Sequence, residues 1–317
     1  MIRVVDLQKA YDGRTVLGPV SLEIRPGETI GILGRNGSGK TTLLRILAGD
    51  LVPTAGAVWI AGVDALAQPD QARTRVGYLP EVPPVYEEMR VGDYLAFAAR
   101  LRGVPAAEVG ARVRAAEERT QTAAVHDALI RHLSHGYRQR VGLAQAIVHE
   151  PPLLILDEPT HDLDPVQIVA MRELVRGLRG RHTVLLSSHI LSEIREMCDR
   201  LLVVSEGRVV ASGTEAELVG RLREGRRLRV LVRAAEGGEA DPLLASIRAV
   251  DGVTSAAVTG GTEGAVEVAV EAHGDRRAEV CRALVRDGFD VLGLERSDRE
   301  LESVFLELVG GGERAGA

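Results

Sequence analysis

The sequence predicts an α/β domain with a parallel core sheet, followed by a second, smaller domain, and three observations carry that reading. A glycine-rich segment at residues 34–39 lies between an apolar strand pattern and a helical pattern. Two further short runs, Leu153–Leu156 and residues 183–187, are apolar without alternation, as strands covered by helices on both faces must be. The length, 317 residues, divides into about two domains.

The elements follow in order. Residues 2–7 and 20–25 alternate apolar and polar side chains around the turn Asp12-Gly13, which predicts an antiparallel β edge. A buried strand at Thr29–Leu33 leads into the glycine-rich loop. The helix after it carries Leu43, Leu44 and Leu47 on one face and closes at Gly49. Residues 84–149 read as an inserted helical subdomain, rich from about 90 onward in Ala, Arg, Glu and Leu at helical spacing. Around 213–226 the pattern dissolves into charge, including Arg221, Arg223, Arg226 and Arg227, so the first domain is drawn as 1–220. The remainder predicts strand 228–234, helix 242–250, strand 253–259, strand 265–272, helix 276–287 and strand 289–295. That βαββαβ order defines a small α+β ferredoxin-like C-terminal domain over 221–309, with a helix appended at 300–309. Residues 310–317 read as a disordered tail.

Composition excludes several classes of function. With 45% hydrophobic and 26% charged residues the chain is an ordinary globular one. No apolar run approaches the ~18 residues of a membrane span, so no spanning segment is expected. The first residues, Met-Ile-Arg-Val-Val-Asp, lack the apolar core of a secretory signal, and a cytoplasmic chain is expected. The net charge of −6 is spread over both domains and leaves no basic footprint, so no nucleic-acid partner is expected. Cys198 and Cys281 lack CxxC spacing and read as core thiols. Of 39 basic residues only Lys9 and Lys40 are lysines, which directs attention to any lysine inside a motif.

Lys40 stands in such a motif. Gly34-Arg35-Asn36-Gly37-Ser38-Gly39-Lys40-Thr41 matches G-x-x-x-x-G-K-[ST] in full, in the strand–loop–helix context that confirms it. Glycines let the chain wrap around a phosphate, so that backbone N–H groups and the helix N-terminus face the anion. Lys40 is placed on the β- and γ-phosphates, Thr41 on Mg²⁺, and Thr42 with the loop as a nucleotide-binding residue. The strand Leu153–Leu156 then delivers Asp157 and Glu158 at its C-terminal end. Asp157 is expected to hold Mg²⁺, and Glu158 to orient and deprotonate the attacking water. Neither lysine follows an asparagine, so the Asn-Lys-x-Asp guanine reader is absent. At this point an ATPase and a small-molecule kinase both remain open.

The next motif separates them. Leu133-Ser134-His135-Gly136-Tyr137-Arg138-Gln139-Arg140 resembles the signature segment of ATP-binding cassette (ABC) proteins, whose usual form is Leu-Ser-Gly-Gly-Gln. Around it Tyr11 sits where an aromatic ring stacks on adenine, and Gly77-Tyr78-Leu79-Pro80-Glu81 matches the segment carrying the Q-loop. Asp157-Glu158-Pro159-Thr160 is followed by the D-loop Leu163-Asp164-Pro165, and Ser188-His189 supplies the switch histidine. The resemblance covers about residues 2–220. It implies a P-loop ABC nucleotide-binding domain that binds ATP and Mg²⁺ and meets a second copy of itself head to tail around two ATP molecules. Ser134 and Gly136 would then act in trans on the γ-phosphate, with His189 in cis as a catalytic residue beside Glu158 and Lys40. Asp164 of the D-loop would also border the nucleotide. The other seven histidines read as structural or solvated.

Three departures from the usual pattern stand out. Glu81 occupies the Q-loop position usually held by Gln, so a carboxylate would approach Mg²⁺ or the attacking water. The signature's third and fifth residues are His135 and Tyr137. The D-loop has His161-Asp162 where a small residue and Gly are common.

The segment 80–89 and the end segment 301–308 resemble ATP-binding subunits of ABC-2-type exporters, closest to the gliding-motility and multidrug-export group. That implies a separate multi-span membrane permease docking near residues 81–100, where Tyr86, Tyr94 and Phe97 cluster, and a peripheral location on the inner face of the membrane. The alternative is a soluble or regulatory ABC ATPase. Ribosome-acting members carry two cassettes, chromosome-maintenance members a long coiled coil, and excision-repair members zinc cysteines, none of which this sequence has.

Overall fold

The computed structural model describes residues 1–221, 226–233, 240–262 and 265–296. The helix expected at 300–309 and the tail 310–317 lie outside the described residues. The chain divides into two compact units, the first holding Met1–Glu215 and the second beginning at Ala216.

The first unit contains two sheets. β1 (Ile2–Tyr11) and β2 (Arg14–Ile24) form the expected hairpin, joined to β4 (Ala55–Ile60) and β5 (Val63–Asp64) in an antiparallel sheet of order β2-β1-β4-β5. Both hairpin strands run further than their alternation suggested. Register shifts between Val4 and Leu7, Leu7 and Lys9, and Lys9 and Ala10 change the phase of the pattern while the ladder continues.

The second sheet has the order β10-β9-β3-β8-β7-β6, built from β3 (Thr29–Leu33), β6 (Val76–Leu79), β7 (Leu153–Leu156), β8 (Thr183–Ser188), β9 (Arg200–Ser205) and β10 (Arg208–Gly213). All neighbours are parallel except the β9–β10 pair. Every residue of β3, β7 and β8 is buried, which explains their unbroken apolar character. β6 has only four residues and one is Gly77, a poor strand former. Its pairing with β7 makes it a strand, and Gly77 is required because a Cβ there would lie 2.0 Å from the Ala146 carbonyl oxygen.

Helices α1 (Lys40–Leu47), α2 (Pro69–Arg73), α6 (Pro165–Gly177) and α7 (Leu191–Met197) connect these strands. Between β6 and β7 run α3 (Val91–Leu101), α4 (Val109–Thr120) and α5 (His135–Ile147). α5 starts at Ser134, whose hydroxyl accepts from the Tyr137 N–H, the bond that fixes a helix N-terminus. Cys198 and Cys281 are both free and only partly buried, rather than fully inside as expected; the Cys198 Sγ lies under Gly31, and burial pushes its thiol pKa up.

α8 (Glu215–Arg221) opens the second unit. There β11 (Arg226–Arg233), α9 (Ala240–Arg248), β12 (Val253–Thr262), β13 (Ala265–Ala272), α10 (Arg277–Arg286) and β14 (Val291–Arg296) realise the βαββαβ order. The antiparallel sheet order β12-β13-β11-β14 is the ferredoxin-like one. Its core joins Leu228, Val230 and Val232 to Val268 and Val270, with Ile247 and Leu284 from the two helices.

Candidate nucleotide site

β3 ends where the glycine-rich loop begins, and the loop's path depends on glycine at particular points. A Cβ on Gly34 would lie 2.4 Å from the Val204 carbonyl oxygen and 2.5 Å from Ser38 Oγ. Gly37 and Gly39 take φ of 79° and 104°, the left-handed region that side chains disfavour. The turn brings Lys40 back as the first residue of α1. Its Nζ donates to the Gly34 carbonyl at 2.8 Å and lies 3.5 Å from Glu158 Oε1. Lys40 and Glu158 are both buried, so each charge needs the other or a charged ligand.

β7 delivers the carboxylates. Leu156 pairs with Leu186 of β8, which sets Asp157 beside Ser187. The Ser187 hydroxyl donates to Asp157 Oδ1 at 2.6 Å and accepts from the Glu158 N–H at 2.9 Å. The Thr41 hydroxyl reaches the same Asp157 oxygen at 3.5 Å. Burial raises the Asp157 pKa; the hydrogen bonds from Ser187 and Thr41 oppose that, and the charges of Glu158 and Glu81 add to it. Glu158 has a φ of 48°, an uncommon backbone conformation for a non-glycine residue. Its second oxygen, Oε2, meets His189 Nδ1 at 2.9 Å. Beneath them the buried Glu193 accepts from Thr160 Oγ1 at 2.5 Å and from Ser188 Oγ at 3.3 Å.

A cavity of about 270 Å³ opens over this arrangement. Of the residues predicted from sequence, it is lined by Asn36, Gly37, Gly39, Lys40, Thr41, Thr42, Glu81, Glu158 and His189. Gly34, Arg35 and Ser38 shape the loop without lining it. Asp157 borders a neighbouring cavity of about 410 Å³ together with Thr41, Tyr78 and Glu81. Four predicted residues lie elsewhere. The Tyr11 ring is exposed, with Lys9 Nζ 5.0 Å from its centroid, and Val16 of the same hairpin lines the cavity. Ser134 and Gly136 stand at the N-terminus of α5. Asp164 is the N-cap of α6, its Oδ1 accepting from the Gln167 N–H at 2.9 Å.

The residues present fit a magnesium nucleotide. Ser38 Oγ is buried with no partner inside a loop that offers backbone N–H groups. The Thr41 hydroxyl and the Asp157 carboxylate are the hard oxygen donors Mg²⁺ prefers. Sequence reading missed Ser187, Val16 and His161. Ser187 becomes legible only once β7 and β8 are paired. His161 lines the cavity with its Nε2 at 3.3 Å from Glu81 Oε1.

Residues 17–161 match the family described as ABC transporter. The bacitracin transport ATP-binding protein BcrA of Bacillus licheniformis is 30% identical over 98% of this chain and 98% of its own length. The chain belongs to the ABC transporter family, as an ATP-binding subunit. Nod factor export ATP-binding protein I of Paraburkholderia xenovorans is 37% identical to this ABC subunit over 67% of the chain and 70% of its own length. The solved structure of an ATP-binding subunit of an ABC transporter overlays with a TM-score of 0.65 at 32% identity, covering 70% of this chain and 93% of the other. A dimeric ATP-binding cassette bound to ADP and Pi shares the fold, with a TM-score of 0.62 at 23% identity over 68% of this chain and 98% of its own. The ABC subunit is an ATP hydrolase with Mg²⁺ as its ion. No helix among the described residues is long and apolar enough to cross a membrane.

Proposed function

We propose that this chain energises an exporter by closing head to tail with a second copy of itself around two ATP molecules, and that a separate multi-span permease carries the substrate. The convergence of Lys40, Glu158 and His189 from the ends of β3, β7 and β8 is the observation that carries the reading. Lys40 holds the β- and γ-phosphates by charge. Glu158, anchored between Lys40 and His189, orients water and accepts its proton, while His189 donates to the γ-phosphate. Thr41, Asp157 and Glu81 would hold the ion, which when bound would neutralise charge on the phosphate oxygens. Tyr11 stacks on adenine. Ser134, Gly136 and Asp164 lie away from the cavity of their own chain, which suits action on the nucleotide of the second copy.

Residues 1–220 serve as the ATP-binding domain, with 84–149 as its helical subdomain, and 221–309 as an accessory domain that stabilises the dimer. Export is supported by the relatives' names, bacitracin transport and Nod factor export. Permease docking is supported by an aromatic cluster. Tyr86 meets Tyr94 and Phe97 edge to face at centroid distances of 6.0 and 5.8 Å. Tyr94 is buried and donates to the Pro84 carbonyl, its pKa pushed up to about 12 by burial, whereas Tyr86 and Val82 are exposed. The subunit would thus lie in the cytoplasm, held peripherally to the membrane by its permease.

The test is affinity capture of the Glu158→Gln protein with Mg-ATP from detergent-solubilised membranes of its own source. Recovery of a polytopic membrane protein in about equal amount is the expected result. Recovery of soluble proteins alone would transfer the assignment to a regulatory ATPase.

A further inference from the structure

Three residues that depart from the usual cassette pattern, Glu81, His135 and His161, are joined in one chain of contacts. His135 Nε2 meets the His161 carbonyl oxygen at 3.3 Å. His161 Nε2 in turn meets Glu81 Oε1 at 3.3 Å and Asp162 Oδ2 at 3.4 Å. A second strut comes from the same helix: Gln139 Nε2 donates to the Glu81 backbone carbonyl at 3.0 Å, and Gln139 is fully buried. His135 and Gln139 are four residues apart on α5 and therefore share a face. One face of α5 thus grips residue 161 and residue 81, and His161 closes the triangle between them.

We infer that His161 is a positioning residue that holds the Glu81 carboxylate at the mouth of the nucleotide cavity, and that His135 ties this hold to the signature helix. The inference rests on the reading above that Glu81 faces the ion. Both Glu81 and His161 line the cavity. His161 Nε2 lies between the Glu81 and Asp162 carboxylates at ion-pair distance from each. His135 donates from Nε2 to the His161 carbonyl. A small residue at 161 could not reach the Glu81 carboxylate. The consequence is a continuous path of contacts within one chain from the helix that begins at Ser134 to the carboxylate beside its own ion site.

The test uses the full chain and Mn²⁺ in place of Mg²⁺, with a non-hydrolysable ATP analogue and free Mn²⁺ read by electron paramagnetic resonance. Both side chains are half-exposed, so His161→Ala is expected to weaken Mn²⁺–nucleotide binding by about threefold. It should have no further effect in an E81A background, and His161→Gln, which keeps a donor, should restore affinity. A second readout needs no ligand: the ¹⁵N resonance of His161 Nε2 should move in E81A and in H135A. A His161 resonance indifferent to E81A would overturn the contact itself. A threefold loss that persists in E81A would overturn the positioning role. If the resonance moves but E81A leaves Mn²⁺ affinity unchanged, the ion-facing reading of Glu81 fails and takes the positioning role with it, while the contact stands.

Discussion

The parallel sheet of the first unit and the antiparallel sheet of the second are both packed with valine, leucine and isoleucine, yet they treat polar residues differently. Around the C-terminal ends of β3, β7 and β8 the structure buries Lys40, Asp157, Glu158, Ser187, Ser188 and Glu193. In the second unit Ser246 is the one buried polar side chain among the described residues, hydrogen-bonded to Asp287 Oδ2. The difference follows from direction. Parallel strands end on the same edge, so their last residues meet, and the crossing connections open a crevice there. Antiparallel strands end on alternate edges, so no such meeting of polar ends is forced. A large set of costly buried charges is therefore an outcome of topology in the first unit.

The largest effect that can test this contrast lies at the meeting point. Glu158→Gln should lower kcat by about 10²–10⁴, as loss of a general base does, while ATP still binds and drives a stable dimer visible by size-exclusion chromatography. A variant that hydrolyses ATP at the wild-type rate would remove Glu158 from its role. Next comes the apolar core of the second unit. Val230→Asp places an unpaired charge among fully buried neighbours and should cost about 3 kcal/mol or more, enough to expose that unit to limited proteolysis. ATP binding by the first unit should survive; its loss would show that the two units fold as one.

A smaller effect concerns acid. His149 is held by the Val76 carbonyl, and burial, followed by the charge of Arg102, lowers its pKa from 6.5 to about 4. Between these values the unfolded chain binds a proton that the folded chain refuses. Stability from this group is therefore complete above pH 6.5 and is lost as pH falls toward 4. The loss should reach about 2 kcal/mol, discounted for partial exposure, and should belong to the first unit. His149→Gln should flatten that part of the pH–stability curve measured by urea unfolding. An unchanged curve would mean the imidazole protonates freely in the fold. The smallest expected change is in nucleotide affinity on removal of residues 227–317, which should stay within about twofold by fluorescent-ATP titration. A larger loss would move the working boundary of the ATP-binding domain beyond 226.

Much of this was legible in the linear sequence because it is local. A phosphate-binding loop needs its glycines, Lys40 and Thr41 within eight consecutive residues, and a buried parallel strand announces the carboxylates at its end. The alternation of Val266, Val268 and Val270 against Glu267 and Glu271 likewise marked β13, where the structure has a strand over Ala265–Ala272. Other strands were not legible. β6 and β9 owe their state to neighbours, and in β1 shifts of register erased the alternation beyond residue 7.

The chain by itself determined the loop, the order of the motifs and the residue types that phosphoryl transfer requires, because each depends on neighbours a few positions away. The tertiary structure alone decided which motifs touch. Ser187 serves Asp157 because β7 and β8 pair in register across thirty residues. His161 reaches Glu81 because the segments after β6 and β7 emerge at the same sheet edge, eighty residues apart in sequence. Asp164 shows the converse, since its carboxylate is held as the cap of α6. A residue type states what a side chain can bind, and only packing determines what lies within its reach.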